Sequence, residues 1–266
     1  MMSTFSMAEI PGRILYEDNE ILVFHKPGGL AVQHARSGSM DLNSALLTYL
    51  AAKEKQAWDA GTGKKGQRNE IPYLGVVHRL DQPVEGILVF AKTPAAAASL
   101  GRQVQDGRMD KEYMAVVTAE APGQRDLLVR EVPVSGSVPD TLSGTDPEWT
   151  GHLLEDHLRK DGRNNRTEIV PAGTKDAKKA RLWYRVIRAA GEDTFILQIR
   201  LETGRFHQIR AQLSHAGMPI LGDRKYGGRP ADALALCAFS LSFDHPKTGR
   251  RMRFRLQERS CFISEA

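Results

Sequence analysis

Gly75-Val76-Val77-His78-Arg79-Leu80-Asp81-Gln82-Pro83-Val84-Glu85-Gly86-Ile87-Leu88-Val89 is the stretch from which the rest of the chain is best read. An apolar run delivers Arg79 and Asp81 two residues apart, and Pro83 and Gly86 then turn the chain into a second apolar run. The pattern predicts strands over 76–80 and 87–91, with Arg79 and Asp81 on one face of the first strand's end. A carboxylate beside a guanidinium at a strand terminus is a candidate reaction centre, because the cation keeps the acid ionised. An aspartate ending a strand before a proline is also an ordinary turn residue, so this stretch alone leaves both readings open.

Working outward, short strand patterns dominate: 14–16, 21–24, 113–117, 180–188, 194–201, 236–243 and 251–256. Helices are fewer. Asp41 opens one to about residue 55, and Thr93-Pro94 reads as an N-cap with proline at the first helical position, leading a helix to about 106. A third is predicted over 205–216, closed by Gly217. Strands and helices do not alternate strictly, which favours an α+β fold over a doubly wound one. Residues 56–72 and 119–150 read as surface loops, and no internal repeat is present.

Composition narrows the class. A chain of 266 residues, 41% hydrophobic, can bury a substantial core. No stretch approaches the ~20 apolar residues of a membrane span, and the N-terminus lacks the pattern of a secretory signal. Two cysteines, Cys237 and Cys261, give neither a disulfide framework nor a zinc quartet, so a reducing cytoplasm is expected. Net charge is +5. It is uneven: residues 159–188 carry ten basic side chains against three acidic, and 247–256 carry five against none. Such segments suit a polyanionic partner or a solvated surface. Arg251, Arg253 and Arg255 share one strand face and could follow a phosphate backbone.

Several constellations fail. Gly61-Thr62-Gly63-Lys64-Lys65-Gly66 lacks the spacing and ending of a phosphate loop. The pairs His152/His157 and His207/His215 have no carboxylate completing a ligand set, so no metal is expected. No Gly-x-Ser-x-Gly elbow is present.

The run His78-Arg79-Leu80-Asp81 with Gly86 resembles the active-site motif of the RluA family of pseudouridine synthases, which isomerise uridine within RNA. Four more segments repeat the resemblance in order: 19–29 (Asn-Glu-Ile-Leu-Val-Phe-His-Lys-Pro-Gly-Gly), Lys111-Glu112-Tyr113, 203–210 (Thr-Gly-Arg-Phe-His-Gln-Ile-Arg), and 219–223 (Pro-Ile-Leu-Gly-Asp) with Tyr226-Gly227. The resemblance runs from about 14 to 256. It implies one catalytic domain over 14–260 between tails at 1–13 and 261–266. The implied fold is a mixed, largely antiparallel sheet with a central catalytic cleft flanked by helices and loops. Because the pattern starts by residue 14, the small N-terminal RNA-binding domain of many relatives is expected to be absent.

The resemblance also implies roles. Asp81 becomes the catalytic aspartate, either a nucleophile at the sugar or a base removing a sugar proton so that a glycal forms. Arg210 becomes its cationic partner, reaching Asp81 through a forked hydrogen bond, with His207, Arg210 and Leu213 on one helix face. Tyr113 becomes the aromatic platform for the target base, its hydroxyl assisting a late proton transfer. Arg79 is expected to hold the space vacated when the nucleotide leaves its stack. His78, Arg205, His207 and Gln208 are expected on the substrate side. Leu236 and Leu241 form an apolar wall, and Lys26 lies in a rigid turn near the cleft.

Two departures stand out. Val84-Glu85 replaces the frequent Thr-Ser before the loop glycine, adding a charge near Asp81, and Cys237 stands where many relatives have His. The expected partner is structured ribosomal or transfer RNA acted on by a monomer without cofactor, metal or membrane. The rivals are a non-catalytic RNA-binding protein and a glycosidase-like hydrolase using Asp81 with Glu85.

Overall fold

The computed structural model describes residues 5–33, 40–61, 71–120, 123–132 and 151–257. After a 3-10 turn at Met7–Glu9, the elements in chain order are α1 (Ile10–Arg13), β1 (Ile14–Glu17), β2 (Ile21–Lys26), α2 (Leu42–Asp59), β3 (Gly75–Val76), β4 (Glu85–Ala91), α3 (Pro94–Gln105), β5 (Asp110–Thr118), α4 (Gln124–Glu131), β6 (His152–Asp161), β7 (Arg166–Val170), β8 (Lys178–Ala189), β9 (Thr194–Leu201), α5 (Gln208–His215), β10 (Leu236–Asp244) and β11 (Arg251–Arg255). The fold is α+β with largely antiparallel strand pairing, as the sequence predicts.

Two compact units divide the chain. The first comprises 1–109 with 240–255, and the second 110–239 with 256–266. In the first unit β2 lies between β1 and β4. Ile21, Leu22, Val23 and Phe24 are all fully buried, so β2 reads as a continuous apolar run because neither of its faces meets water. Helix α3 starts where predicted: the Thr93 hydroxyl accepts from the Ala96 N–H at 3.1 Å, with Pro94 in the first turn. Within the span expected as an N-terminal tail, 7–13 is helical and Ile10 is fully buried.

In the second unit the strand order is β5-β9-β8-β6-β7, each neighbouring pair antiparallel. The hairpin β6–β7 is absent from the sequence expectation. The sequence reading places no element between 151 and 179; Leu158 and Thr167 are buried, but few apolar residues carry the alternation. Helix α4 also falls inside a stretch expected to be loop. Residues 62–70, with most of the glycine-lysine run, and Cys261 lie outside the described residues.

Two corrections bear on the site. The strand expected over 76–80 ends at Val76, because β3 pairs with β4 only through Gly75↔Ala91 and Val76↔Phe90. Arg79 and Asp81 therefore sit in a loop rather than on one strand face. The helix expected from 205 begins at Gln208, because His207 takes a left-handed conformation (φ 51°). His207 is thus the residue before the helix and does not share a helical face with Arg210.

Candidate active site

In the first unit, two of the quoted segments meet. Lys26 ends β2 opposite Gly86 at the start of β4. Its side chain is fully buried, and Nζ donates to the carbonyls of Pro27 (2.9 Å), Leu30 (2.8 Å) and Gln82 (3.1 Å). Gly29 N–H donates to the Gln82 carbonyl at 2.9 Å, and Gln82 Nε2 donates back to the Gly29 carbonyl at 3.0 Å. Val84 N–H closes the turn on the Asp81 carbonyl at 3.0 Å. A Cβ at Gly28 would stand 3.0 Å from the Pro83 carbonyl oxygen, so Gly28 permits the close approach of the two turns. The Lys-Pro-Gly-Gly segment is a clamp on the loop that carries Asp81.

Burial pulls the Lys26 amine down to about 7, against the opposing attraction of Glu85 and Asp81. Leu80 and Val84 are buried and anchor the loop, while Asp81 between them is partly exposed. Arg79 is exposed. His78 is engaged as a strap: its Nε2 accepts the Val89 N–H at 3.2 Å, tying the loop to β4.

Glu85 pairs with His25, Nε2 to Oε1 at 2.7 Å, with both side chains largely buried. Sequence reading missed this pair, although the strand period carried the signal. His25 stands opposite Ile87, and Glu85 lies two residues from Ile87 on the same face.

In the second unit, three further segments converge. Arg210, 5% exposed, donates from Nε and Nη2 to Asp223 Oδ2 and Oδ1 at 2.7 and 2.8 Å. Asp223 thus takes one of the two forked edges of the guanidinium, a partner that the sequence reading did not foresee. The Arg210 guanidinium also lies 5.1 Å from the centre of the Tyr226 ring. His207 Nδ1 and the Tyr226 hydroxyl are 2.9 Å apart, and His207 stacks on Phe206 at 3.8 Å. Burial, then the charges of Arg210 and Lys225, depress the His207 imidazole to about 3. Lys111 Nζ would lie 3.8 Å from a Cβ at Gly204, which brings the segment at 111–113 beside the one at 203–210.

Asp223 is held by its own turn. Gly222 (φ 80°) leaves no room for a side chain, since a Cβ there would lie 1.9 Å from the Ala233 carbonyl oxygen. Asp223 N–H donates to Ile220, and its carbonyl accepts from Tyr226 and Gly228.

Several residues expected on the substrate side also make contacts that hold the fold. Gln208 is 3% exposed: its Oε1 accepts from Thr203 Oγ1 and Arg205 N–H, and its Nε2 donates to the Arg181 carbonyl. It closes the turn before α5. His207 is buried and neutral, not presented to solvent. Arg205 is exposed, with Nε donating to the Lys179 carbonyl at 3.1 Å. Tyr113, on β5, is 7% exposed, and Leu236 and Leu241 are buried in β10. The glycosidase-like reading needed Glu85 as a second acting carboxylate, and Glu85 is paired with His25.

The class of the protein follows from comparisons with known proteins. Residues 20–215 match the family described as RNA pseudouridylate synthase. Ribosomal large subunit pseudouridine synthase C of Buchnera aphidicola is 30% identical over 262 residues, covering 95% of this chain and 69% of that one. Ribosomal large subunit pseudouridine synthase D of Pseudomonas aeruginosa is 33% identical over 264 residues, covering 92% and 68%. Among solved structures, Human RNA Pseudouridylate Synthase Domain Containing 1 has the same fold, with a TM-score of 0.65 at 19% identity over 96% of this chain and 86% of that one. The chain belongs to the RNA pseudouridylate synthases, within the RluA family whose motifs its sequence carries. No helix among the described residues is long and apolar enough to cross a membrane.

Proposed function

We propose that this enzyme converts one or more uridines of ribosomal RNA to pseudouridine, with Asp81 as the catalytic carboxylate. One observation carries the reading: a partly exposed Asp81 on a loop that buried Leu80 and Val84 anchor and whose backbone is clamped by Lys26. Clamping fixes the carboxylate before substrate arrives, which is what a reacting group needs. Asp81 acts on the sugar, as nucleophile or as base, while the bond from N1 to the anomeric carbon breaks. The base turns, C5 joins the anomeric carbon, the C5 proton leaves and N1 gains one. Atoms and electrons balance within the nucleotide, so no co-substrate is required.

Tyr113 is the proposed platform for the base, and Arg210 the cation that steadies developing negative charge. Arg79 and Arg205, both exposed, are proposed to contact the RNA backbone. The proposed catalytic unit spans 14–260 and acts as a cytoplasmic monomer. Ribosomal RNA is favoured over transfer RNA because the similar proteins of Buchnera aphidicola and Pseudomonas aeruginosa are ribosomal large subunit pseudouridine synthases.

The test is to incubate the protein with unmodified ribosomal RNA and, separately, unmodified transfer RNA, and to map carbodiimide-dependent primer-extension stops. New stops in ribosomal RNA that Asp81→Asn does not produce are the expected result. Stops confined to transfer RNA would move the substrate. Stops that persist in Asp81→Asn would remove Asp81 from the chemistry.

A further inference from the structure

We propose that His25 and Glu85 form a coupled positioning pair that sets the second end of the catalytic loop, so that each residue is useful only with the other. This inference rests on the reading of Asp81 as the catalytic carboxylate. His25 and Lys26 are consecutive residues of β2, so their side chains leave opposite faces of the strand. Lys26, on one face, reaches the Gln82 carbonyl at the residue after Asp81. His25, on the other, reaches Glu85, where the loop becomes β4. One dipeptide thus grips the loop 81–85 at both ends and from both faces.

The pair is built rather than incidental. Glu85 precedes Gly86, whose φ of 144° lets the chain swing from the loop directly into the strand. Backbone pairing with Lys26 holds Gly86 itself, and the Glu85 side chain adds a second hold just where the loop enters the strand. The His25–Glu85 contact of 2.7 Å supplies that hold, and 14% and 23% side-chain exposure shields it from water. Glu85 without His25 would leave a half-buried carboxylate close to Asp81, working against a second negative charge there and against an approaching phosphate. His25 without Glu85 would leave the junction without that second hold. Neither residue touches the reacting atoms in this account; both act through the placement of Asp81.

The test is a double-mutant cycle with His25→Asn, Glu85→Ser and the pair, in the full chain, measuring kcat and KM on the RNA identified above with a thermal melt of each variant. Each single variant is expected to lose about tenfold or more in kcat with KM little changed, as a displaced reacting group would. The double variant is expected to match Glu85→Ser and to turn over faster than His25→Asn, because it removes the carboxylate that His25→Asn strands and the junction has already lost its second hold without Glu85. Glu85→Gln, which keeps a hydrogen-bonding oxygen, should retain more turnover than Glu85→Ser. Wild-type kcat in His25→Asn would overturn the proposal. So would losses that multiply in the double variant, or losses confined to KM. Asp81→Asn runs alongside: if it is active, the catalytic reading fails; if it is inactive while the pair variants match wild type, only the positioning role fails.

Discussion

Arg210 and Asp223 form a two-toothed buried pair, Nε to Oδ2 at 2.7 Å and Nη2 to Oδ1 at 2.8 Å, with side chains 6% and 0% exposed. Planar fork meets planar carboxylate, which fixes the guanidinium plane as well as its position. Removing one partner strands the other charge in the interior. Asp223→Ala should therefore destabilise the protein by about 3–5 kcal/mol, measured by urea denaturation, and lower turnover through Arg210. A loss below 1 kcal/mol would show that the pair is not what holds the arginine.

Gly222 predicts a second effect on the same turn. A methyl group there meets the Ala233 carbonyl oxygen at 1.9 Å, in a backbone conformation that L-residues rarely adopt. Gly222→Ala should cost at least about 2 kcal/mol and lower turnover along with stability, since Asp223 moves with the turn. A melting curve superimposable on wild type would contradict the packing described.

Lys26 makes stability depend on pH in the alkaline direction. Its amine titrates near 7 when folded against 10.5 in the unfolded chain. Between those values the unfolded chain binds more protons, so stability rises as pH is raised, by at most about 1.4 kcal/mol per unit from this group. Lys26→Met removes that rise and leaves the Pro27, Leu30 and Gln82 carbonyls without their shared donor, at a cost of about 2 kcal/mol. Chemical denaturation from pH 7 to 9 should show the wild-type slope exceeding the mutant slope. Parallel slopes would contradict it.

His207 works in the acid direction. Folded, it titrates near 3 against 6.5 unfolded, so protons favour the unfolded chain in that interval and stability falls as pH drops through it. His207→Asn, a residue type that accepts the left-handed conformation, should flatten the stability profile between pH 6.5 and 4. Turnover between pH 6 and 8 should show no step that this substitution removes.

What the sequence disclosed tracks how local each signal is. Thr93-Pro94 announces α3 because capping is settled within three residues. β2 is visible because both its faces are buried and its apolar run is unbroken. The β6–β7 hairpin is hidden because charged Arg159, Lys160 and Asp161 occupy its partly exposed outer end, where β6 pairs with β7 beyond its register with β8. The Arg210–Asp223 pair was illegible for a different reason: Asp223 follows thirteen residues later, past the end of α5 and a loop, a separation with no helical or strand period. His207 showed its motif but not its φ of 51°, which displaced the helix start. The clamp of Lys26 on Gln82 spans 56 residues and was visible only as two quoted segments whose meeting the fold had to supply.

The most direct measurement is single-turnover release of tritium from RNA carrying uridine labelled at C5, because that hydrogen leaves only when the carbon-carbon bond forms. Wild type and Asp81→Asn are compared at matched RNA occupancy, with binding measured in parallel. The account predicts release by wild type and none by Asp81→Asn, with RNA bound equally by both. Release by Asp81→Asn at the wild-type rate would contradict the assignment of Asp81 as the carboxylate that does the chemistry.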